Sequence, residues 1–539
     1  MPERRALWLA GAVLAALVIA GGARSFAQEP PAPSPSPSLV PSASPTVSPT
    51  PTPTPPPIIV VPEAASVPVG QRRVLQISSA LPPLTATIAD PNVADLVLDA
   101  NAQTIALTGK TPGTTVVTVA DARGLTKFVP VRVAYLAGTV APYVAIRITG
   151  DPASPDFVKA QALAAARKLA QPRPGAQVVA TVDQIAFANA LARDDVADLT
   201  VPVLLQGEGL FEVDASTRVR VENVAAPRIA PDTLMVSDYP ERLESDGVLF
   251  TADLQRERPS RFLYFHYNPG GQPDRRIVLR AENRSPEPSI VQFISGSGGP
   301  GTNEMEVGHD ATKRFLVHVV QNEGRLVQIP GNGTVELVEH DVPAKNIVAN
   351  LLQLRVLSGG DVHLTLFAQD ASSDPDESLA STELLEGATK HARGIYAIPE
   401  FHDARAWSLT DPFLELSVGQ IPLPNRLQGQ ALAGDYGVLQ SFVVNVTNPY
   451  DAPQHIAIYE NPRGGNATGT YLIDGVLVQS HRVPAFSRYK IRQYLVPAKG
   501  FVRVTIVTMP EGGSFYPLKL IFAPDDGSVA PGAPGSPVY

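Results

Sequence analysis

The feature that most constrains the fold of this chain is an internal duplication in its C-terminal half. The pentad His-x-Val-Pro-Ala occurs at 340–344 and again at 481–485, and each copy is followed by a glycine and an alternating apolar segment. An asparagine lies upstream of each pentad, Asn283 in one copy and Asn448 in the other, at the same distance from a preceding aspartate. Self-similarity of this kind indicates repeated structural units, and alternation indicates strands. The sequence therefore predicts two tandem β-sandwich repeats of the Ig-like type.

The recurring pentad is expected to form a shared turn rather than an active site. Asparagine tolerates turn conformations and hydrogen-bonds its own backbone, so Asn283 and Asn448 are expected at equivalent turns. When the copies are aligned on the pentad, the first is longer between its asparagine and its histidine. This alignment predicts an insertion at about 295–320, made of a flexible glycine-rich connection followed by a helix. Long loops on a rigid scaffold often carry binding residues.

Candidate binding residues come from this insertion and from the aromatic segment 262–267. In a strand, successive side chains of that segment would point to opposite faces. One aromatic face would then be exposed for carbohydrate or protein, or both faces would be covered as part of a core, which is the more common outcome for aromatic residues. The candidate interaction surface consists of Phe265, Tyr267, Gly299, His309 and Arg314.

The N-terminus has the pattern of an export signal. Arg4 and Arg5 precede an apolar segment at 6–23, and Ala27 ends a small-x-small cleavage site. We expect cleavage after Ala27, with an uncleaved N-terminal anchor as the alternative. Residues 28–57 are dominated by Pro, Ser and Thr, a composition typical of an extended spacer. The protein is therefore predicted to be exported, to the periplasm, the cell surface or the exterior.

The sequence contains none of the local motifs that mark a catalytic, cofactor or metal site. The chain has no cysteine, and its 9 histidines are scattered without metal-ligand spacing. Residues 296–302 have the glycines of a phosphate loop but no lysine, and 370–377 lack the alternating order of a calcium loop.

A net charge of −9 without a basic stripe argues against nucleic acid as a partner. We predict no cofactor and no metal, and a non-enzymatic protein, although glycosidase carboxylates would leave no local motif.

Short strands separated by turn signals predict a small β-sandwich directly after the linker. Three motifs within it are Val-Pro-Val-Gly at 67–70, Ala-Asp-Pro-Asn-Val-Ala-Asp at 89–95 and Gly-Lys-Thr-Pro-Gly-Thr-Thr at 109–115. Together they resemble the N-terminal domain of pilus-assembly secretins of the Tad type, which is also close to bacterial Ig-like modules. The amphipathic hairpins of a secretin pore do not follow it. The resemblance implies a cell-envelope protein connected with pilus assembly or secretion.

The predicted fold class is mainly β and multidomain, with a small N-terminal β-sandwich, a small α+β domain and then the two repeats. A strand–helix–strand pattern with an Ala-rich helix at 155–170 predicts the α+β domain, which is similar to the BON-like domains that follow the N-terminal domain in secretins. The predicted segments are a signal peptide (1–27), a linker (28–57), the N-terminal sandwich (58–137), the α+β domain (138–230), repeat 1 (231–370), an acidic helical linker (371–394), repeat 2 (395–524) and a disordered tail (525–539).

The leading functional hypothesis is an exported, non-enzymatic envelope protein with a structural or protein-interaction role linked to pilus assembly or secretion. Its expected partners are envelope, pilus or secretion proteins, and it would contact the membrane only through an uncleaved N-terminal anchor. The alternative is a cell-surface protein or adhesin that binds or cleaves polysaccharide through the insertion in repeat 1.

Overall fold

The computed structural model describes residues 55–373, 383–424 and 431–528. Contacts divide the chain into Met1–Pro57 and Ile58–Tyr539, and the described helices and strands all belong to the second unit. They are mainly strands in several sheets, which confirms the predicted fold class. The predicted signal peptide, nearly all of the linker, the helix start at Asp374 and residues 529–539 of the tail lie outside the described residues.

The N-terminal sandwich forms because apolar side chains alternate along its strands and point between two sheets. Its strands are β1 (Ile59–Val61), β2 (Ala65–Pro68), β3 (Arg72–Ser78), β4 (Thr85–Ile88), β5 (Ala94–Asp99), β6 (Thr104–Gly109), β7 (Gly113–Ala120) and β8 (Thr126–Ala134). One sheet has the order β1-β3-β6-β5 and the other β2-β8-β7-β4. Val60, Leu75, Ile105, Val117 and Val131 are buried between them.

The α+β domain packs one helix on one sheet. Its elements are β9 (Gly138–Thr139), β10 (Tyr143–Thr149), α1 (Pro155–Leu169), β11 (Gln171–Pro172), β12 (Ala176–Val179), a 3-10 turn (Val182–Gln184), β13 (Val196–Gly207) and β14 (Val213–Asn223). Helix α1 begins after Ser154, whose hydroxyl accepts a hydrogen bond from the Phe157 N–H, and Pro155 occupies its first turn. The helix buries Val158, Ala162 and their neighbours against the sheet β12-β13-β14-β10.

The first large sandwich carries the second helix. Its elements are β15 (Thr233–Ser237), β16 (Gly247–Leu254), β17 (Ser260–Tyr267), β18 (Arg275–Asn283), β19 (Ser289–Gly301), α2 (Glu304–Val320), β20 (Gly324–Ile329), β21 (Gly333–Val342), β22 (Ile347–Ser358), β23 (Val362–Asp370) and β24 (Arg393–Ala397). One sheet has the order β16-β23-β18-β21. The other, β20-β19-β22-β17-β15-β24, joins the α+β sheet because β20 pairs with β10, so one ten-stranded sheet runs through both regions.

The second large sandwich follows β24. Its elements are β25 (Glu400–Ser408), β26 (Leu414–Val418), β27 (Leu423–Pro424), β28 (Ala431–Leu432), a 3-10 turn (Ala433–Asp435), β29 (Leu439–Thr447), β30 (Gln454–Pro462), β31 (Ala467–Ile473), β32 (Val476–Val483), β33 (Tyr489–Val496), β34 (Phe501–Thr508) and β35 (Leu518–Pro524). The two facing sheets have the orders β25-β29-β34-β31-β32 and β26-β35-β30-β33. Trp407, Phe442, Ile458 and Phe522 are buried between them.

The two asparagines singled out by the duplication occupy equivalent turns. The Asn283 side-chain amide donates to the carbonyls of Glu287, Ile329 and Pro330. Asn448 donates in the same way to the carbonyls of Ala452, Val496 and Pro497. The strands around these turns also correspond, because β19 pairs with β20 as β30 pairs with β33, and β18 pairs with β21 as β29 pairs with β34.

The pentads, by contrast, are not equivalent. The first ends β21, which pairs with β18, whereas the second ends β32, which pairs with β31. The interval from Asn283 to Ile329 is 46 residues and that from Asn448 to Val496 is 48, so the two copies are almost equal in length here. Both carry an addition at the same place, helix α2 in the first and the β31–β32 hairpin in the second. The prediction, made from the pentad, that the first copy is longer than the second is therefore wrong.

The glycine-rich segment before α2 is the end of strand β19, so the flexible connection predicted there is also wrong. Gly296 and Gly298 pair with Leu351 and Ala349 of β22. A Cβ atom on Gly296 would lie 2.1 Å from the Phe315 amide nitrogen of α2, and one on Gly298 would lie 1.9 Å from a carbonyl oxygen of the same helix. Glycine is present because the helix backbone lies directly on the strand.

Candidate functional site at the junction of the two sandwiches

Helix α2 lies between the two large sandwiches. It begins after Asn303, whose side-chain oxygen accepts hydrogen bonds from the N–H groups of Met305 and Glu306. Phe315 and Leu316 of α2 belong to one buried apolar cluster that contains residues of both sandwiches. The other buried members of this cluster are Leu263, Ile294, Val319 and Leu351 from the first sandwich and Leu439, Leu472 and Met509 from the second.

A close contact between two glycines allows the helix to reach the second sandwich. A Cβ atom on Gly308 would lie 1.8 Å from the carbonyl oxygen of Gly512, in the loop between β34 and β35. The next residue of that loop, Gly513, has a φ of 74° and lies against the Glu304 carbonyl. Any side chain at Gly308 would therefore separate α2 from the loop. The 511–515 loop and the first half of α2 form one closely packed wall.

A buried polar network crosses the same junction. The His309 Nδ1 atom of α2 lies 2.9 Å from a carboxylate oxygen of Glu511, and its Nε2 atom lies 2.7 Å from the side-chain nitrogen of Gln479. The Thr468 hydroxyl donates to Glu511 and exchanges a 2.8 Å hydrogen bond with Ser514. Burial opposes the charged form of His309, but the Glu511 carboxylate outweighs it and raises the pKa of the imidazole. The network ties the helix to the second sandwich.

Two further buried charges belong to this junction. Glu460, on β30, is fully buried and accepts a hydrogen bond from the Ser480 hydroxyl, and burial raises the pKa of its carboxyl to about 7. Arg261, on β17 of the first sandwich, is also fully buried. Its guanidinium donates to the Pro399 carbonyl and lies 3.0 Å from a carboxylate oxygen of Glu400. The two sandwiches are thus connected by apolar contacts, hydrogen bonds and ion pairs.

The structure places the five predicted interaction residues around α2. His309 is buried in the network, and Phe265 is buried against Val307 and Ala311 of the helix. Tyr267 is half-buried beneath the Arg242 guanidinium. Gly299, with a φ of 83°, lies in a bulge of β19. Arg314 is exposed and pairs with Asp310 one turn earlier.

A cleft of about 510 Å³ opens beside the buried wall. Its floor is apolar and includes Val236, Leu263, Phe265 and Leu432, which come from both sandwiches. Its rim is polar and includes Asp238, Glu241, Glu304, Lys390 and His391. Sequence reasoning identified only Phe265 of these residues, because the others come from separate segments that share no motif.

An acid–imidazole cluster lies at one side of the cleft. The His391 Nδ1 atom is 3.4 Å from Asp238 and its Nε2 atom is 3.2 Å from Glu241. Contact with Asp238 raises the pKa of His391, and burial raises the pKa of Asp238 to about 6 in spite of the histidine. Oδ1 of Asp238 is enclosed and makes no hydrogen bond with any described residue.

Across residues 55–373, 383–424 and 431–528, no group of three or more His, Asp or Glu side chains is arranged to hold a metal ion. No helix in this described part is long and apolar enough to cross a membrane.

Several solved structures are distantly similar to this chain. The human desmocollin-1 ectodomain is 11% identical over 33% of this chain and 43% of its own, with a TM-score of 0.13. A tri-modular endo-β-1,4-glucanase from Bacillus licheniformis is 12% identical over 31% of this chain and 38% of its own, with a TM-score of 0.14. This chain thus spans less than half of each, and TM-scores this low carry no conclusion about fold or function.

Comparison with family models gave a match to the N-terminal sandwich. No match was found among the curated proteins. Residues 62–134, from the residue after β1 to the last residue of β8, match the family described as the pilus formation protein N terminal region. This match confirms the resemblance inferred from the motifs at 67–70, 89–95 and 109–115. The N-terminal sandwich is therefore similar to the N-terminal region of pilus formation proteins.

Proposed function

We propose that this protein is an exported, non-enzymatic component of the cell envelope that contacts pilus-assembly or secretion proteins through its N-terminal sandwich. The observation that carries the proposal is the family match over 62–134, which covers nearly the whole of that sandwich. The two large sandwiches, tied together by α2, would act as the rigid body on which this domain is displayed.

The outer face of the first sheet supports a contact role. Val74 of β3 and Val97 of β5 are 53% and 64% exposed, and both lie opposite Ala106 of the strand between them. Val61, on the neighbouring strand β1, is exposed as well. Exposed apolar side chains grouped on one face are typical of protein contact sites. The three valines form the valine face.

The polar groups at the sandwich junction support a structural role for that region. Glu511 and Glu460 are fully buried, and His309 is nearly so. Their hydrogen bonds go to other side chains of the junction. A catalytic acid or base must be able to reach a substrate. These buried groups are therefore better suited to holding α2 in place than to catalysing a reaction.

The proposal is tested by capturing partners with the tagged full-length chain from cells of the source organism and identifying them by mass spectrometry. We expect pilus or secretion proteins to be captured by the unaltered chain, and to be reduced about tenfold by Val74→Glu or Val97→Glu. Val196→Glu alters a similarly exposed valine on β13 and is the matched control. Capture that is equal for all four chains, or that contains no such proteins, would count against the proposal.

A further inference from the structure

The cleft between the two sandwiches has the construction of a binding site, and nothing in the role of the N-terminal sandwich uses it. Its residues come from β15 and the loop after it, β17, the start of α2, the segment before β24, β28 with the 3-10 turn after it, and the loop between β34 and β35. We propose that this cleft binds a short segment of a partner protein in which an apolar side chain lies next to a lysine or arginine.

The size and floor of the cleft fit an apolar side chain. A volume of about 510 Å³ lies within the usual range of ligand pockets, which is about 300–1,000 Å³. Leu263, Phe265 and Leu432 provide a preformed apolar floor, and each is itself buried by contacts within the protein. An aromatic or aliphatic side chain that enters the cleft would therefore leave water for an apolar surface, and the residues of the floor would not need to move.

An exposed aromatic side chain on a fixed loop forms the mouth of the cleft. Phe515 is 51% exposed, yet the loop around it is held firmly. Its N–H donates to the Asn466 carbonyl, and its neighbour Ser514 is bonded to both the N–H and the hydroxyl of Thr468. Gly512 lies directly against the Phe265 ring. An exposed ring that is held in place costs little entropy when it contacts a ligand.

The charges at the rim favour a cationic ligand. Three carboxylates, Asp238, Glu241 and Glu304, face the cleft with two cationic or titratable groups, Lys390 and His391. Glu304 forms no ion pair with any residue in the described part of the chain, and so remains able to pair with a ligand. The carboxylates exceed the cations, and a lysine or arginine beside the apolar anchor would complete this arrangement. An uncharged sugar could stack on the Phe515 ring, but it would form no ion pair with the carboxylates of the rim.

This site is independent of the proposed role of the N-terminal sandwich. The valine face lies on strands β1, β3 and β5, whereas the cleft residues begin at Val236. Failure of one proposal therefore leaves the other untouched. Substitutions on the valine face should leave binding to the cleft unchanged, which separates the two experimentally.

The test uses the full chain and three probes in titration calorimetry. They are acetylated, amidated Phe-Lys-Leu-Lys, the charge-reversed Phe-Glu-Leu-Glu, and cellotetraose. We expect the lysine peptide to bind, and Phe515→Ala or Glu304→Lys to weaken it about tenfold. Two controls should bind as the unaltered chain does. Phe501→Ala removes a similarly exposed ring from β34, and Glu306→Lys reverses another carboxylate in the first turn of α2.

Each outcome decides for or against the proposal. Binding of the lysine peptide that both cleft variants weaken, with both controls unchanged, supports it. Equal or stronger binding of the glutamate peptide would overturn the charge assignment, and binding of cellotetraose alone would assign the cleft to carbohydrate instead. If no probe binds to a chain whose circular dichroism and thermal midpoint show it to be folded, the cleft is not a peptide site.

Discussion

Glu460 makes the stability of the second sandwich depend on pH. Burial raises the pKa of its carboxyl from the ordinary 4.5 to about 7, while the Ser480 hydroxyl bonded to it acts in the opposite direction. Between pH 4.5 and 7 the folded chain therefore binds a proton at Glu460 that the unfolded chain has lost. Stability must fall as pH rises through this window and level off above it. At about 1.4 kcal/mol per pH unit, the ionised carboxylate costs about 3 kcal/mol above pH 7.

Replacing Glu460 with glutamine tests this magnitude. The amide is neutral at every pH and keeps an oxygen that accepts from the Ser480 hydroxyl. We expect Glu460→Gln to exceed the unaltered chain in unfolding free energy by about 3 kcal/mol at pH 8.5, and the difference to shrink towards zero near pH 5.

Fluorescence of Trp407 provides the assay. This tryptophan is buried in the same sandwich with its ring centroid 6.4 Å from that of Phe522, and the only other tryptophan in the sequence is Trp8. Urea unfolding in a Trp8→Phe background therefore reports on the second sandwich alone. Glu415→Gln, a partly exposed glutamate of the same sandwich, is the control. A stability difference between Glu460→Gln and the unaltered chain that does not vary from pH 5 to 8.5 would refute the reasoning.

Two further predictions concern the junction and the duplicated turn. Gly308→Ala should destabilise the chain by about 1–3 kcal/mol because its Cβ would overlap the Gly512 carbonyl, whereas Gly270→Ala, which meets only a flexible lysine side chain, should cost less in the same thermal unfolding experiment. Asn448→Ala should cost about 2–3 kcal/mol in the tryptophan-detected transition, since three carbonyls lose their donor. Asn283→Ala removes the equivalent hydrogen bonds from the first sandwich, whose main apolar core is separate, and should shift that transition less. An effect of Asn283→Ala as large as that of Asn448→Ala would contradict the assignment of the two turns to separate cores.

The parts of the fold that sequence reasoning predicted correctly depend on local signals. Strands β3 and β7 of the N-terminal sandwich have side chains that are buried and exposed in alternation. Helix α1 begins at Pro155, the first residue of the predicted Ala-rich helix. The asparagine turns were also predictable, because the side chain bonds to the backbone within four residues. The pentad misled because four matching residues in a five-residue segment do not require the same structural surroundings. One copy ends a strand of a sandwich sheet, and the other ends an added hairpin.

The junction and the cleft could not be predicted because they depend on contacts between distant segments. His309 was identified as a candidate, but its partner Glu511 lies 202 residues later and has no motif around it. The glycines of β19 suggested flexibility, and only the position of α2 shows that they make room for a helix backbone. The cleft brings together carboxylates from two separate segments, the loop after β15 and the start of α2, and their proximity is a property of the fold alone.

Photo-crosslinking in cells of the source organism can detect the proposed contact between the N-terminal sandwich and pilus or secretion machinery. A photoreactive residue is placed at Val97 on the valine face and, for comparison, at Val196 on the α+β domain. We expect a crosslink from position 97 to a pilus-assembly or secretion protein, and none to that protein from position 196. Crosslinks that are the same at both positions, or that reach no such protein from position 97, would contradict it.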